Sequence, residues 1–494
     1  MSGIASSLPA LQIIVPLFGA LAAALVRRHT LAYAITLAVS WLLPIIAGLL
    51  VWQTMTTGTI SYHLGGWTPP WGIEYRIDAV NALVLFIVSA VGAVVIPYGW
   101  RSVSAEIDED KQAWFYCMYL LCVTGLLGIA ATGDLFNAFV FLEVSSLSGY
   151  VLIAMGRDRC ALLAAFQYLI MGTIGATIYL IGVGLLYVVT GSLNIADIAT
   201  RVVSAYAERP EAVVAALAFI SVGLGLKCAI FPLHAWLPNA YAYAPNLVTA
   251  FMAATATKVA IYLLIRVTFG VFGSPLDQRT LTIILILSIG AMFFAAVIAI
   301  FERDLKRMLA YSSISQIGYI TLGMGIANKA GLTGSILHLV NHAMMKGALF
   351  LALGAAIFRI GSSKLDDYAG IGRKMPWTMG AFTIAGFGLV GTPGTAGFIS
   401  KWYLVIGALA SGHWFIVFLI VASSLLALVY VGRVMEVVWF RDTGRLAEKA
   451  SDPPLSMAVP MLVMTAAVVW FGIDATLPVD IAERAASLLL RLPQ

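Results

Sequence analysis

Seven ionisable side chains stand inside stretches that are otherwise apolar enough to cross a membrane. Glu143 lies in "FLEVSSLSGY", Lys227 in "GLGLKCAIFPLHAWLPNAY" and Lys258 in "TATKVAIY"; His338, His342 and Lys346 lie in "HLVNHAMMKG", and Lys401 in "GFISKWY". A charge at the centre of a bilayer costs at least about 2.5–3.5 kcal/mol, so such residues are read first as functional. Snorkelling to the interface accounts for a cation near a span end, which is what Arg266 is expected to do; a lysine at mid-span has no such escape. Positions 338, 342 and 346 are four apart and form one stripe on one helix face. Two histidines at that spacing are compatible with a metal, but no third ligand at a suitable spacing accompanies them, so no metal site is expected. A Lys–Glu pair that can separate has two proton affinities, and histidine titrates near neutrality without help. Buried groups of these kinds, set at intervals and joined by water, make a proton relay across or along the membrane.

Prolines and glycines interrupt the same stretches. Pro232 cannot donate to the carbonyl of Cys228, so that carbonyl, next to Lys227, is left free at mid-membrane; Pro238 is read as a further break in the same span. In "GLVGTPGTAGFISK" Pro393 frees the carbonyl of Leu389 between two glycines, and Lys401 follows eight residues later. Free backbone at that depth is tolerated only against protein or water. The two interrupted spans are the seventh and the twelfth, five apart. An internal repeat would give this, with spans four to eight matching spans nine to thirteen. Five spans per repeat force the copies into opposite orientations.

The elements that carry these groups are transmembrane helices. Of the 494 residues 61% are hydrophobic and 11% charged, against about 45–50% and about 25% in soluble domains. Fourteen apolar runs of spanning length begin near Ala5, Leu31, Asp78, Trp114, Leu135, Ala161, Glu211, Pro245, Leu281, Met308, Leu332, Trp377, His413 and Leu455. Their polarity does not alternate, so they are helices and not barrel strands. The expectation is an all-α polytopic membrane protein of one membrane domain. It comprises three N-terminal helices (1–113), a first repeat (114–272), a second repeat (280–440), and a last helix with a short tail (455–494). No basic residue precedes the first run, so it reads as a retained span and not as a cleaved signal. With the N-terminus outside, 17 Lys and Arg fall in inner loops, 7 in outer loops and 5 within spans; that bias places both termini outside. The net charge of +5 is scattered through loops, which argues against nucleic acid. The four cysteines form no CxxC pair, so no iron–sulfur site or disulfide framework is expected. "GFGLVG" (386–391) fits a dinucleotide pattern but sits within an apolar span without the required preceding strand. No P-loop appears, and no cofactor is expected.

The stretches "FLEVSSLSGY", "GLKCAIFPLHAWLPNAY", "ATATKVAIYLL", "LKRMLAYSSISQIGY", "HLVNHAMMKGALFL" and "GTPGTAGFISKWY" together resemble the antiporter-like proton-channel family. Mrp-type cation/proton antiporters, respiratory complex I and membrane-bound hydrogenases share it. The resemblance covers nearly the whole chain and is strongest from Trp114 to Tyr403. It implies fourteen core helices, two inverted five-helix repeats, and broken seventh and twelfth helices. It also implies a glutamate on the fifth helix (Glu143) paired with a lysine on the seventh (Lys227). Next come Lys258 on the eighth helix, a polar link at His338, His342 and Lys346 on the eleventh, and a terminal group at Lys401. "LGGWTPPWGIEYRIDAVNAL" (64–83) looks most like the D-type component of Mrp antiporters. The expected function is therefore proton translocation within a multisubunit Na⁺ or K⁺/H⁺ antiporter in the cytoplasmic membrane of a prokaryote, with other membrane subunits as partners. With one clear intramembrane carboxylate, most of a sodium path is expected on those partners. The alternative is the proton-pumping subunit of an NADH–quinone oxidoreductase or hydrogenase complex, without a redox site of its own.

Overall fold

The computed structural model describes residues 2–26, 28–273 and 278–492; Arg27 of the first basic loop lies outside them. The described residues form twenty helices and one small hairpin. They are α1 (Ser2–Val26), α2 (His29–Thr57), β1 (Ile60–His63), β2 (Glu74–Ile77), α3 (Ala79–Glu106), α4 (Glu109–Ala131), α5 (Leu135–Ala154) and α6 (Cys160–Thr190). Then come α7 (Ile195–Glu208), α8 (Pro210–Cys228), α9 (Leu237–Tyr243), α10 (Asn246–Ala254), α11 (Ala256–Ile265), α12 (Gln278–Phe301), α13 (Leu305–Ile326) and α14 (Lys329–Ile360). The chain ends with α15 (Pro376–Val390), α16 (Ala396–Ala410), α17 (Trp414–Met435), α18 (Arg445–Glu448), α19 (Leu455–Ile473) and α20 (Thr476–Leu489). The fourteen expected spans are all present. Spans seven, eight and twelve are the paired segments α8–α9, α10–α11 and α15–α16.

Two faces result. The hairpin, α7 and α20 share one, here called the hairpin face, and the loops after α3, α5, α9, α12 and α14 lie on the opposite face. Between α2 and α3 the chain pairs antiparallel as Ile60↔Ile77 through His63↔Glu74. The expected short tail folds as α20, which packs on α3 and α14. Its apolar residues recur at helical spacing (Ile481, Ala482, Ala485, Ala486, Leu489) and are buried, a period too short in extent to count as a span.

The inverted repeat is written in the backbone. Asp134 caps α5 by accepting from the amide of Asn137, and Asp304 caps α13 by accepting from that of Arg307. The amide of Leu135 donates to Leu193 O and that of Ile195 to Gly133 O. The amide of Leu305 donates to Ser363 O and that of Leu365 to Arg303 O. Gly191 and Gly361 end α6 and α14 in the left-handed conformation, at φ 68° and 74°. Every partner in one set has its counterpart 170 residues on (134 to 304, 191 to 361, 195 to 365). The first set lies on the hairpin face and the second on the opposite face.

Long apolar side chains such as Trp41, Ile45, Phe415 and Phe418 are exposed on the outside, as a lipid-facing wall requires. The innermost helices are α10–α11 and α14, which pack on each other and on α3, α13, α16 and α19. Close packing between α6 and α8 uses small residues: a Cβ on Gly223 of α8 would come within 2.6 Å of the Gly175 carbonyl of α6.

Candidate functional site

Every sequence-predicted ionisable group except Glu143 is buried, and all lie along the middle of the fold between the three interrupted spans. In span seven α8 ends at Cys228, Ala229 turns into the left-handed region (φ 55°), and residues 229–236 run without regular helix before α9 begins. Pro238 is not itself a break. It stands at the second position of α9, where a helix makes no use of the missing amide. The break at Pro232 sets Lys227 in the last turn of α8. Its Nζ donates to Ser146 Oγ at 2.7 Å and lies 3.4 Å from Glu143 Oε1. The Lys227 side chain is 4% exposed and that of Glu143 24%, so the carboxylate reaches the outside of the chain while the amine stays within. A cavity of about 20 Å³ lined by Ser146, Lys227, Ala256 and Ala260 joins this pair to α11. It is large enough for one water.

Span eight has an interruption that no proline or glycine announces. Thr255 departs from helical geometry (φ −124°, ψ −57°). The Lys258 Nζ donates to the carbonyl of Ala253 across the kink, with Thr257 Oγ1 at 3.4 Å. The only sequence signal was the pair Thr255 and Thr257, β-branched residues whose side chains compete with helical hydrogen bonding.

On α14, His338, His342 and Lys346 are completely buried. His338 is fixed on both sides: its Nε2 is 2.9 Å from Gln316 Oε1 and its Nδ1 2.8 Å from Ser400 Oγ. With the amide so oriented, Nε2 carries the proton and Nδ1 accepts from the serine. The His342 ring lies nearly parallel to that of His338, centroids 6.2 Å apart, and neither of its nitrogens has a partner among the described residues. Lys258 and Lys346 lie within electrostatic range of it. A buried imidazole left free on both nitrogens calls for water or a proton-carrying neighbour. Lys346 Nζ donates to Leu309 O at 2.8 Å and to Ser312 Oγ.

At the break of span twelve, Lys401 Nζ donates to Leu389 O and Val390 O, both at 2.9 Å, and to Ser424 Oγ at 3.0 Å; it also stands 4.4 Å from the Tyr319 ring centre. The carbonyl freed by Pro393 is thus taken by the lysine. Gly391 makes this possible. Its φ is 85°, and a Cβ there would lie 2.8 Å from Lys401 Cδ. Gln316 Nε2 reaches the same Leu389 carbonyl at 3.4 Å, so one acceptor links Lys401 to His338.

Three groups escaped the sequence reading or were placed wrongly by it. Arg266 does not snorkel: it makes a two-pronged ion pair with Asp78 at 2.7 and 2.8 Å, because Asp78, the cap of α3, faces it across the packed helices. Lys306, counted with a basic loop, is 7% exposed. His234 sits in the break of span seven, stacked on Phe231, and its Nδ1 has no partner among the described residues.

The family described as "NADH:quinone oxidoreductase/Mrp antiporter, TM" matches residues 132–427. The chain belongs to this family. The matched segment contains all seven ionisable groups and the interruptions at Pro232, Thr255 and Pro393. Among members of the family, the chain is 42% identical over 483 residues to NADH-quinone oxidoreductase subunit N of Desulforudis audaxviator, covering 94% of this chain and 95% of the relative. It is 31% identical over 418 residues to the D-type component of the Na⁺/H⁺ antiporter of Alkalihalophilus pseudofirmus, covering 85% and 84%. Its fold superposes on a chain of the Mrp complex from Dietzia sp. with a TM-score of 0.91 at 27% identity, over 99% of this chain and 98% of that one.

Proposed function

We propose that this chain is the proton-translocating membrane subunit of a multisubunit Mrp-type Na⁺ or K⁺/H⁺ antiporter. The observation that carries the reading is the series of buried amines and imidazoles: Lys227, Lys258 and Lys401 at helix interruptions, and the stripe of Lys346, His342 and His338 on α14 between them. The route runs from Glu143–Lys227 to Lys258, along Lys346, His342 and His338, and ends at Lys401. The partly exposed Glu143 is the input. A charge moving in a neighbouring subunit pulls on the carboxylate, weakens its hold on Lys227, and releases a proton towards Lys258 by way of the small cavity between α8 and α11. Likeness to the Mrp complex chain and to the D-type component of an antiporter supports both the activity and the presence of partner membrane subunits. The hairpin face is assigned to the outside of a prokaryotic cytoplasmic membrane, because the basic loops gather on the other face.

The 42% identity to an NADH-quinone oxidoreductase subunit N favours a second reading, in which the same relay serves as the pump arm of a redox complex. A gentle pull-down of the tagged chain from native membranes separates the two: only membrane subunits for the antiporter, peripheral redox subunits for the pump. The relay itself is tested by Lys227→Ala in everted vesicles carrying the whole complex. Cation-driven proton flux is expected to vanish while assembly persists; full flux would sink the relay.

A further inference from the structure

A cavity of about 260 Å³ opens on the hairpin face, and three arginines line it: Arg76 of β2, Arg266 at the end of span eight and Arg491 just past α20. Asp78 is the one acidic residue in the lining, and its oxygens are already occupied. Oδ1 accepts from the amides of Val80 and Asn81 and from Arg266 Nη2, and Oδ2 accepts from Arg266 Nη1. Arg266 also donates through Nε to Tyr262 Oη at 3.2 Å. A guanidinium carries five N–H donors, so Arg266 keeps one on each terminal nitrogen without a partner among the described residues. Arg76 contributes only its backbone to the bonding there, pairing with Ser61 and accepting from Asn81 Nδ2. The Arg491 side chain makes one long contact, Nη2 to Gly270 O at 3.5 Å. Three guanidinium charges against one carboxylate leave an excess of two, with most of the donors unused.

The position of Arg491 is set by an unusual helix end. The amide of Leu492 donates to Ser487 O and that of Arg491 to Leu488 O. These two bonds close a helix when the residue after its cap turns left-handed. Arg491 is that residue, at φ 54°. Glycine ordinarily fills the position, because a Cβ there crowds the following carbonyl. The fold thus accepts a strained arginine at the cavity wall. Leu489 and Arg491 are also walls of a second cavity, of about 320 Å³, lined otherwise by apolar residues and a glycine, Phe269, Leu281 and Leu490 among them. A basic cavity and an apolar one therefore meet at one arginine.

We propose that these joined cavities bind an anionic phospholipid. Its phosphate lies on Arg76, Arg491 and the remaining N–H groups of Arg266, and the start of an acyl chain lies against Phe269 and Leu281. Planar guanidinium forks match pairs of phosphate oxygens, and the apolar cavity offers a free phosphate nothing. The bound lipid ties β2, the end of span eight and α20 together, three elements far apart in the chain. The site stands whether or not the relay does.

The test measures the thermal midpoint of the whole purified complex in nanodiscs of phosphatidylcholine, with and without added phosphatidylglycerol, and separately with inorganic phosphate. Phosphatidylglycerol is expected to raise the midpoint by several degrees. The double variant Arg76→Gln/Arg491→Gln is expected to lose most of that rise. Ala199→Glu keeps all three arginines and places a carboxylate on the cavity wall; it is expected to lose the rise as well, and it decides alone if the double variant fails to assemble. A rise given by inorganic phosphate, absent in the variants and not exceeded by phosphatidylglycerol, keeps the anion site and overturns the lipid as its occupant. An equal rise in wild type and variants places the lipid elsewhere and overturns the site. So does the absence of any rise in the wild-type complex.

Discussion

The breaks in spans seven and twelve are related by the repeat, yet their lysines are held differently. Lys227 faces a carboxylate and a hydroxyl, whereas Lys401 faces two carbonyls and a hydroxyl. A carboxylate can be drawn away or neutralised by a neighbour, which makes Lys227 responsive to charge outside the chain. Carbonyls cannot change charge, and those at the end of α15 also carry the negative pole of that half-helix. Lys401 therefore has a fixed environment and Lys227 a switchable one. That difference is the reason the proposed relay takes its input at the first break and its output at the second.

The strongest way to break the comparison is to remove the switchable partner. Glu143→Gln keeps the shape and removes the charge. Flux is expected to fall more than tenfold, with Glu143→Asp recovering part of it; an unaffected rate would mean that the carboxylate is not the input. The next effect is at the other end. Lys401→Gln should lower flux about tenfold, and Lys401→Arg should not restore it, because a planar guanidinium cannot converge on two adjacent carbonyls and Ser424 as an ammonium does. Full rescue by arginine would show that charge alone matters there. Smaller still is Gly391→Ala, which forces a side chain into left-handed backbone at a cost of about 1–2 kcal/mol and pushes on the Lys401 stem. A lowered thermal midpoint of the purified complex, with flux reduced in step, is expected. The least change is expected from Ser146→Ala, which removes one hydrogen bond to Lys227, of order 1 kcal/mol. A several-fold change in flux fits, and a complete loss would assign the hydroxyl a place in the proton route.

Much of this arrangement was legible in the chain. The membrane class and the fourteen spans follow from composition and run length, because a bilayer demands about 20 apolar residues with every backbone group satisfied within the helix. The interruptions at Pro232 and Pro393 follow from a ring that cannot donate. The stripe of His338, His342 and Lys346 follows from helical periodicity. The interruption at Thr255 was hidden, since no residue there forbids a helix; the buried Lys258 takes the carbonyl of Ala253 across the kink and has the Thr257 hydroxyl beside it. Pro238 misled in the other direction, because proline's meaning depends on its position in the helix and not on its presence.

Sequence alone therefore determined which charges enter the membrane and that the spans are interrupted at Pro232 and Pro393, both local consequences of residue type. The tertiary structure decided what each charge meets. Arg266 finds Asp78 188 residues away, Lys401 closes on the carbonyls left by its own break, and His342 is left with two nitrogens unpartnered among the described residues. Arg76, Arg266 and Arg491 come to one cavity from separate elements. These pairings depend on which helix lies opposite which, and in a bundle of nearly uniform apolar spans that is set by packing between elements far apart in the chain.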